Sequence, residues 1–212
     1  MKTNAVETPL PLTDNGLGCI ILTGGKSRRM GVEKYRLRIG EETVLERICR
    51  IAATQASEIV IVASTGQDFS DLAFADIPVS VCRDKIPGEG PLPAVVQGLR
   101  SLHQRAPELK MAFVLSCDVP LITEAVMTLL ATRLKESEAD CVIVNDGERD
   151  HPLCGVWRLS TVSSGLRLVE AGVRRMTEWC QQLLTARLLP HDLAEIDPQL
   201  GCLLNMNTPD DY

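Results

Sequence analysis

Five short apolar runs recur along the chain: residues 19–23, Ile59–Ala63, Val79–Cys82, Met111–Ser116 and Cys141–Val144. Each is rich in β-branched or large aliphatic residues and too short to be a buried helix, so each predicts an interior strand. Between them lie stretches of helical periodicity. Residues 43–55 place Val44, Leu45, Ile48, Ile51, Ala52 and Gln55 on one face, with Thr43 as N-cap and Glu46 as its capping-box partner. Residues 94–104 and 124–135 follow the same rule, the latter with Thr123 as cap just after Pro120. Strand and helix in alternation imply an α/β fold built on a parallel sheet with crossover helices.

No repeat or low-complexity linker interrupts residues 19–212, which read as a single domain, with residues 1–18 as a loose N-terminal tail. Beyond residue 151 the regularity weakens. A run at Pro152–Leu159 is followed by helical stretches at 161–171 and 174–184 and a last apolar run at Cys202–Leu204. This region fits either an appended substrate-binding part or completion of the sheet.

With 212 residues and a formal net charge of −6, the chain lacks the basic stripe of a nucleic-acid binder, so any anion must be held by a local, focused site. Residues 1–18 have no apolar core of a secretory signal, and no run reaches the ~18 to 20 apolar residues of a membrane span. A soluble, cytoplasmic protein is expected. The eight cysteines include no Cys-x-x-Cys pair and sit mostly inside apolar runs, so buried reduced thiols are expected rather than a metal site or a disulfide framework.

The first run stops at Thr23-Gly24-Gly25 and leads into Lys26-Ser27-Arg28-Arg29. Glycines let backbone N–H groups approach an anion while Lys and Arg supply charge, so the stretch suits a phosphate cradle. It is not a Walker A loop, because the required earlier glycine falls at Ile20. It is not a dinucleotide fingerprint either, since the glycines stand at 24, 25 and 31 and no acid ends the second strand. A plain turn with solvated charges is the remaining alternative.

Leu22-Thr23-Gly24-Gly25-Lys26-Ser27-Arg28-Arg29-Met30-Gly31 with Lys34 resembles the signature loop of the molybdenum cofactor guanylyltransferases, nucleotidyltransferases that attach GMP to molybdopterin. Four later blocks resemble that family in the same order: Gly90-Pro91-Leu92, Cys117-Asp118-Val119-Pro120-Leu121, Asp146 to Pro152, and Asn205 to Asp211. The resemblance implies a three-layer α/β/α, Rossmann-like fold with a mostly parallel sheet. It also implies GTP and molybdenum-molybdopterin as substrates and Mg²⁺ as cofactor, with no nucleic acid or membrane partner. Molybdenum cofactor synthesis proteins or molybdoenzyme chaperones are the protein partners it suggests.

By that resemblance Leu22, Thr23, Gly24 and Gly25 hold the nucleotide, and Lys34 with Arg29 offsets charge on the phosphates. Asp118 binds the metal, Asp84 contacts the nucleotide, and Asn205, Asn207 and His151 serve the second substrate. Bland roles stay open at this stage: Asp118 as a helix cap, Asp84 paired with Arg83 or Lys85, the asparagines as turn formers, and His151 as a structural residue.

The chain departs from the resembled pattern at Thr23, where the family often has Ala, at Glu33, where it often has Asp before the lysine, and at Pro93-Ala94, where it often has Ala-Gly. The last departure bears on base recognition, since Pro93 lacks an N–H and Ala94 adds a methyl. The competing functions are a CTP-dependent molybdopterin cytidylyltransferase, a sugar- or polyol-phosphate nucleotidyltransferase, and a non-enzymatic nucleotide- or molybdopterin-binding adaptor.

Overall fold

A computed structural model describes residues 16–24, 33–74, 77–85 and 88–205. In chain order these form β1 (Leu17–Leu22), β2 (Arg38–Ile39), β3 (Glu42–Thr43), α1 (Val44–Ala52), β4 (Glu58–Ala63), β5 (Val79–Arg83), α2 (Pro91–Arg105), β6 (Met111–Ser116), α3 (Glu124–Lys135), β7 (Cys141–Asn145), β8 (Asp150–Arg158), α4 (Val162–Glu170), α5 (Met176–Cys180), β9 (Thr185–Leu188) and α6 (Pro190–Leu193). The main sheet runs β5-β4-β1-β6-β8-β7-β9, and every strand is parallel to its fellows except β8.

The interior strands are apolar on both faces because both faces are covered. In β1, Cys19 and Ile21 join the core under α1 and α3, whereas Ile20 and Leu22 join the core under α2, α4 and α5. This period-2 division produces the unbroken apolar runs and makes the molecule a three-layer α/β/α sandwich. Each fully buried Leu, Ile or Phe contributes about 1.5–3 kcal/mol, so the two layers hold the sheet mainly by burial. Trp157 of β8 stacks on Trp179 of α5 with ring centroids 4.6 Å apart, and Trp179 donates to Ser164 Oγ, which pins the second layer.

The helix starts follow from local chemistry. Thr43 Oγ1 accepts the Glu46 N–H while the Glu46 carboxylate accepts the Thr43 N–H, closing the capping box of α1. Thr123 accepts from Val126 N–H to open α3. Two expectations need correction. Strand β5 is at the sheet edge, with Val81 and Arg83 exposed and the other three residues half-buried, because only β4 pairs with it. The strand β1 starts at Leu17, so residues 17 and 18 belong to the sheet rather than to a tail; residues 1–15 lie outside the described residues. Of the two forms expected for the region beyond residue 151, completion of the sheet is the one seen, through β8 and β9, and Gly201–Leu203 is a 3-10 turn.

Cysteine follows expectation: all eight are free thiols, seven of them buried and Cys82 half-buried. No helix among the described residues is long and apolar enough to cross a membrane.

Candidate active site

From β1 the chain crosses through α1 to β4 on one side, while β6 lies on the other side of β1. This reversal makes a crevice at the carboxyl ends of β1 and β6, the place where open α/β sheets bind ligands. Leu22, Thr23 and Gly24 leave β1 here, and Cys117 and Asp118 leave β6 alongside them. The Leu22 carbonyl accepts the Cys117 N–H at 3.0 Å, so the two strand ends stay paired as they enter the crevice.

Lys34 reaches the same crevice from the other end of the glycine loop. Its Nζ lies 3.8 Å from Asp118 Oδ2, and both side chains are partly open to water, 20% and 33% exposed. A short 3-10 turn, Lys34–Arg36, presents it. The neighbouring residues anchor that turn: Tyr35 is buried and donates to Glu33 Oε2 at 2.6 Å, with the Asp68 carbonyl 3.2 Å from its hydroxyl. Arg36 binds the Asp71 carboxylate and the Asp68 carbonyl. Burial, and next the Glu33 carboxylate, raise the Tyr35 pKa, so its hydroxyl stays a donor. Tyr35 and Arg36 carried no motif, and their anchoring role depends on Asp68 and Asp71, more than thirty residues away in sequence.

A cleft of about 230 Å³ opens beside Asp118 and is lined by Ser116, Asp118, His151, Cys154 and Asn205 among others. Three residues assigned from different blocks, Asp118, His151 and Asn205, thus line one cleft. His151 is aimed by an irregularity: β7 and β8 pair as Asn145 with Asp150 and Val144 with His151, then Ile143 pairs with Gly155, so three β8 residues bulge. Pro152 sits in the bulge, where its missing N–H breaks no ladder bond.

His151 Nε2 lies 2.7 Å from Asp146 Oδ2, and the Asp146 carboxylate also accepts the Glu148 and Arg149 N–H groups. His151, then those backbone donors, hold the Asp146 carboxyl well below the usual carboxylate range. Asp150 is held low in the same direction, first by the Arg187 guanidinium that grips it through two 2.8 Å bonds. The turn that presents His151 is therefore set by fixed charges.

Asp118 does not cap α3, since Thr123 does. Asp84 stands at the same carboxyl edge, immediately after β5, with its N–H on the Ala63 carbonyl. Three strand spacings, roughly 14 Å, separate β5 from β6, so Asp84 and Asp118 leave the same edge of the sheet well apart. Gly25, Arg29 and Asn207 lie outside the described residues.

The helix α2 follows Asp84 in the chain, and its Gln97 side chain accepts the Lys85 N–H. Its N-cap Gly90 has φ +105°, and a Cβ there would sit 2.8 Å from the Arg174 carbonyl, which also accepts the Leu92 N–H. Pro93 falls in the first turn, where an N–H has no intrahelical partner to lose. Ala94 is buried in the core under α2, so its methyl packs inward.

Solved structures agree with this arrangement in fold. Molybdopterin-guanine dinucleotide biosynthesis protein A from Archaeoglobus fulgidus matches with a TM-score of 0.73 at 21% identity, over 92% of this chain and 94% of that one. A 4-diphosphocytidyl-2C-methyl-D-erythritol synthase from Anaerococcus prevotii matches with a TM-score of 0.70 at 12% identity, over 94% of each chain.

Sequence takes the assignment further. The family described as MobA-like NTP transferase domain matches residues 19–186, and the chain belongs to it. A probable molybdenum cofactor guanylyltransferase of Mycobacterium tuberculosis is 36% identical over 163 residues, 76% of this chain and 77% of the relative. One from Mycobacterium marinum is 32% identical over 197 residues, 92% of this chain and 90% of the relative.

Proposed function

We propose that the protein transfers GMP from GTP to the terminal phosphate of molybdenum-molybdopterin. A phosphate oxygen of the second substrate attacks the α-phosphorus, the new P–O bond forms as the bond to the β-phosphate breaks, and pyrophosphate leaves. The observation that carries this reading is the approach of Lys34 to Asp118, which lines a cleft together with His151 and Asn205. Two anions must meet in such a step, so charge neutralisation and alignment matter more than a side-chain nucleophile.

In this reading the β1 end, Leu22 to Gly24 and on to Gly25, carries the nucleotide, and Asp84 contacts its nucleoside end. The distance from Asp84 to Asp118 leaves room for base and phosphates to lie apart along the crevice. Lys34 offsets charge gathering on the α-phosphate and the departing pyrophosphate, with Arg29 as its partner in that role. His151, Asn205 and Asn207 receive the second substrate on the β8 side. His151, held by Asp146, presents a fixed polar face there, and Asn205 offers amide donors.

Asp118 is the residue that would hold Mg²⁺. Its donor set fits: it is a hard carboxylate, partly exposed and lining the cleft. Magnesium commonly takes one or two carboxylates and completes its shell with water and substrate phosphates. When bound, it would supply positive charge to the triphosphate.

Calorimetric titration with GTP, CTP, ATP and UTP, each with Mg²⁺ and with EDTA, tests the substrate assignment. Selective, Mg²⁺-strengthened GTP binding is expected. Selective CTP binding transfers the assignment to a cytidylyl enzyme, and binding of none of the four sinks the nucleotide reading.

A further inference from the structure

Gln67 is a buried residue outside every motif described above, and its side-chain amide ties strand ends together. Its Oε1 accepts the Thr23 hydroxyl at 2.9 Å and the Ser64 N–H at 2.9 Å, while its Nε2 donates to the Thr23 carbonyl at 3.2 Å. Thr23 is itself buried, and its N–H donates to the Val62 carbonyl at 3.0 Å. The backbone of Gln67 is held in turn: Arg83 Nη1 donates to the Gln67 carbonyl at 2.7 Å and to the Ser64 carbonyl at 3.2 Å. One amide thus joins the carboxyl end of β1 to that of β4, and Arg83 extends the link to β5. Gly66, at φ +89°, makes the turn that folds Gln67 back over the strand ends.

We infer that Gln67 is a positioning residue for the nucleotide, fixing the Thr23-Gly24 turn relative to Asp84 so that both meet one ligand. The inference rests on the nucleotide reading above. Gly24 follows the clamped residue directly, and a Cβ on it would stand 3.2 Å from Ser64 Oγ, so the turn lies against the residue that Gln67 also grips. The clamp fills both sides of the amide, so a side chain of equal length without polar atoms leaves the Ser64 N–H orphaned and releases the Thr23 carbonyl. A primary amide in a buried place costs free energy unless its bonds are made, and here they are made to the two turns that approach the ligand. The orientation of the Thr23 peptide thereby becomes a property of residue 67.

The test uses the full chain with GTP and Mg²⁺ as the probe, comparing wild type with Gln67→Met and Gln67→Glu by titration and by thermal melting. Gln67→Met is expected to weaken GTP binding about tenfold, the scale of one or two lost buried hydrogen bonds, while the KM for the second substrate is unchanged. Gln67→Glu keeps the two acceptor bonds but turns an oxygen toward the Thr23 carbonyl, so it is expected to fall between the two. A lower melting temperature with unaltered GTP affinity makes Gln67 a structural residue and overturns the inference. Thr23→Ala guards against a Gln67 variant that does not fold. It removes one bond of the clamp and is expected to weaken GTP two- to threefold, and unaltered affinity overturns the inference there too. Wild type that binds no GTP overturns the nucleotide reading and this inference together, whereas wild type and Gln67→Met binding alike overturns this inference alone.

Discussion

Lys34 Nζ stands 3.8 Å from Asp118 Oδ2, across the gap between the turn that follows the glycine loop and the end of β6. Both side chains keep contact with water, and pairs of this kind contribute about 1 kcal/mol or less to folding. Stability therefore gives little reason to keep the pair, and the proposed role in transfer is the one that substitution tests. Replacing either is expected to leave the melting temperature within a few degrees of wild type. Lys34→Ala should lower turnover at least ~100-fold, the scale of losing one contact to a developing oxyanion. Asp118→Ala should abolish Mg²⁺-dependent turnover. A two- or threefold effect of Lys34→Ala in a steady-state assay would return that lysine to the solvated surface.

If His151 receives the second substrate as proposed, Asp146, which holds its ring at 2.7 Å, acts on that substrate through it. Asp146→Asn keeps an acceptor for the Glu148 and Arg149 N–H groups but removes the charge that fixes the imidazole. The expected result is a KM for the second substrate raised about tenfold, equivalent to ~1.4 kcal/mol, with GTP binding unaltered in a parallel titration. Equal losses toward both substrates would show that the turn supports the whole crevice rather than one side of it.

The anchoring of Lys34 can be probed without touching the lysine. Tyr35→Phe leaves the ring in its buried place 5.0 Å from Phe69 and removes the hydroxyl that donates to Glu33. A charge-assisted bond of this sort is worth about 1.5–3 kcal/mol net when partly buried, so urea unfolding should show a loss toward the lower end of that range. Unchanged stability would mean that Arg36 alone holds the turn.

Acid should loosen the edge that presents His151. Asp150 has its pKa lowered in the folded state, first by Arg187, so its contribution is fully present above the unfolded Asp value of about 3.9 and is lost as pH falls through its lower folded value. Melting temperature measured from pH 6 down to pH 3 should therefore fall more steeply for wild type than for Asp150→Asn. Parallel curves would remove Asp150 from the acid response.

Thiol chemistry should sort the cysteines by burial. Burial pushes the thiols of Cys49 and Cys117 up to about 12, and Cys117 is the residue before Asp118. Under native conditions a maleimide should label half-buried Cys82 first, with the other seven reacting only on unfolding. Early labelling of Cys117, read by mass spectrometry, would show that the crevice floor opens.

How much of this was legible beforehand depends on the range of the interaction. The runs at Met111–Ser116 and 124–135 coincide with β6 and α3 because period and cap are local properties. The edge position of β5 was not legible, since Val79–Cys82 is as β-branched as a central strand and its exposure is decided by which strand lies beside it. The strand β9 was missed for a related reason: Thr185–Leu188 carries an exposed Arg187 whose partner, Asp150, comes from β8. The same holds in the site. Lys34 and Asp118 were marked by a motif and by position after a strand, whereas Tyr35 and Gln67 act through contacts to residues 33 and 44 positions away.

Formation of product tests the central claim most directly. The purified protein would be incubated with molybdenum-molybdopterin, Mg²⁺ and either GTP or CTP, and the nucleotide product and pyrophosphate quantified together by chromatography and mass spectrometry. The account predicts molybdopterin guanine dinucleotide and pyrophosphate in equal amounts from GTP, with both abolished in Asp118→Ala. A cytosine dinucleotide from CTP with none from GTP, or GTP consumed without a pterin dinucleotide, would contradict it.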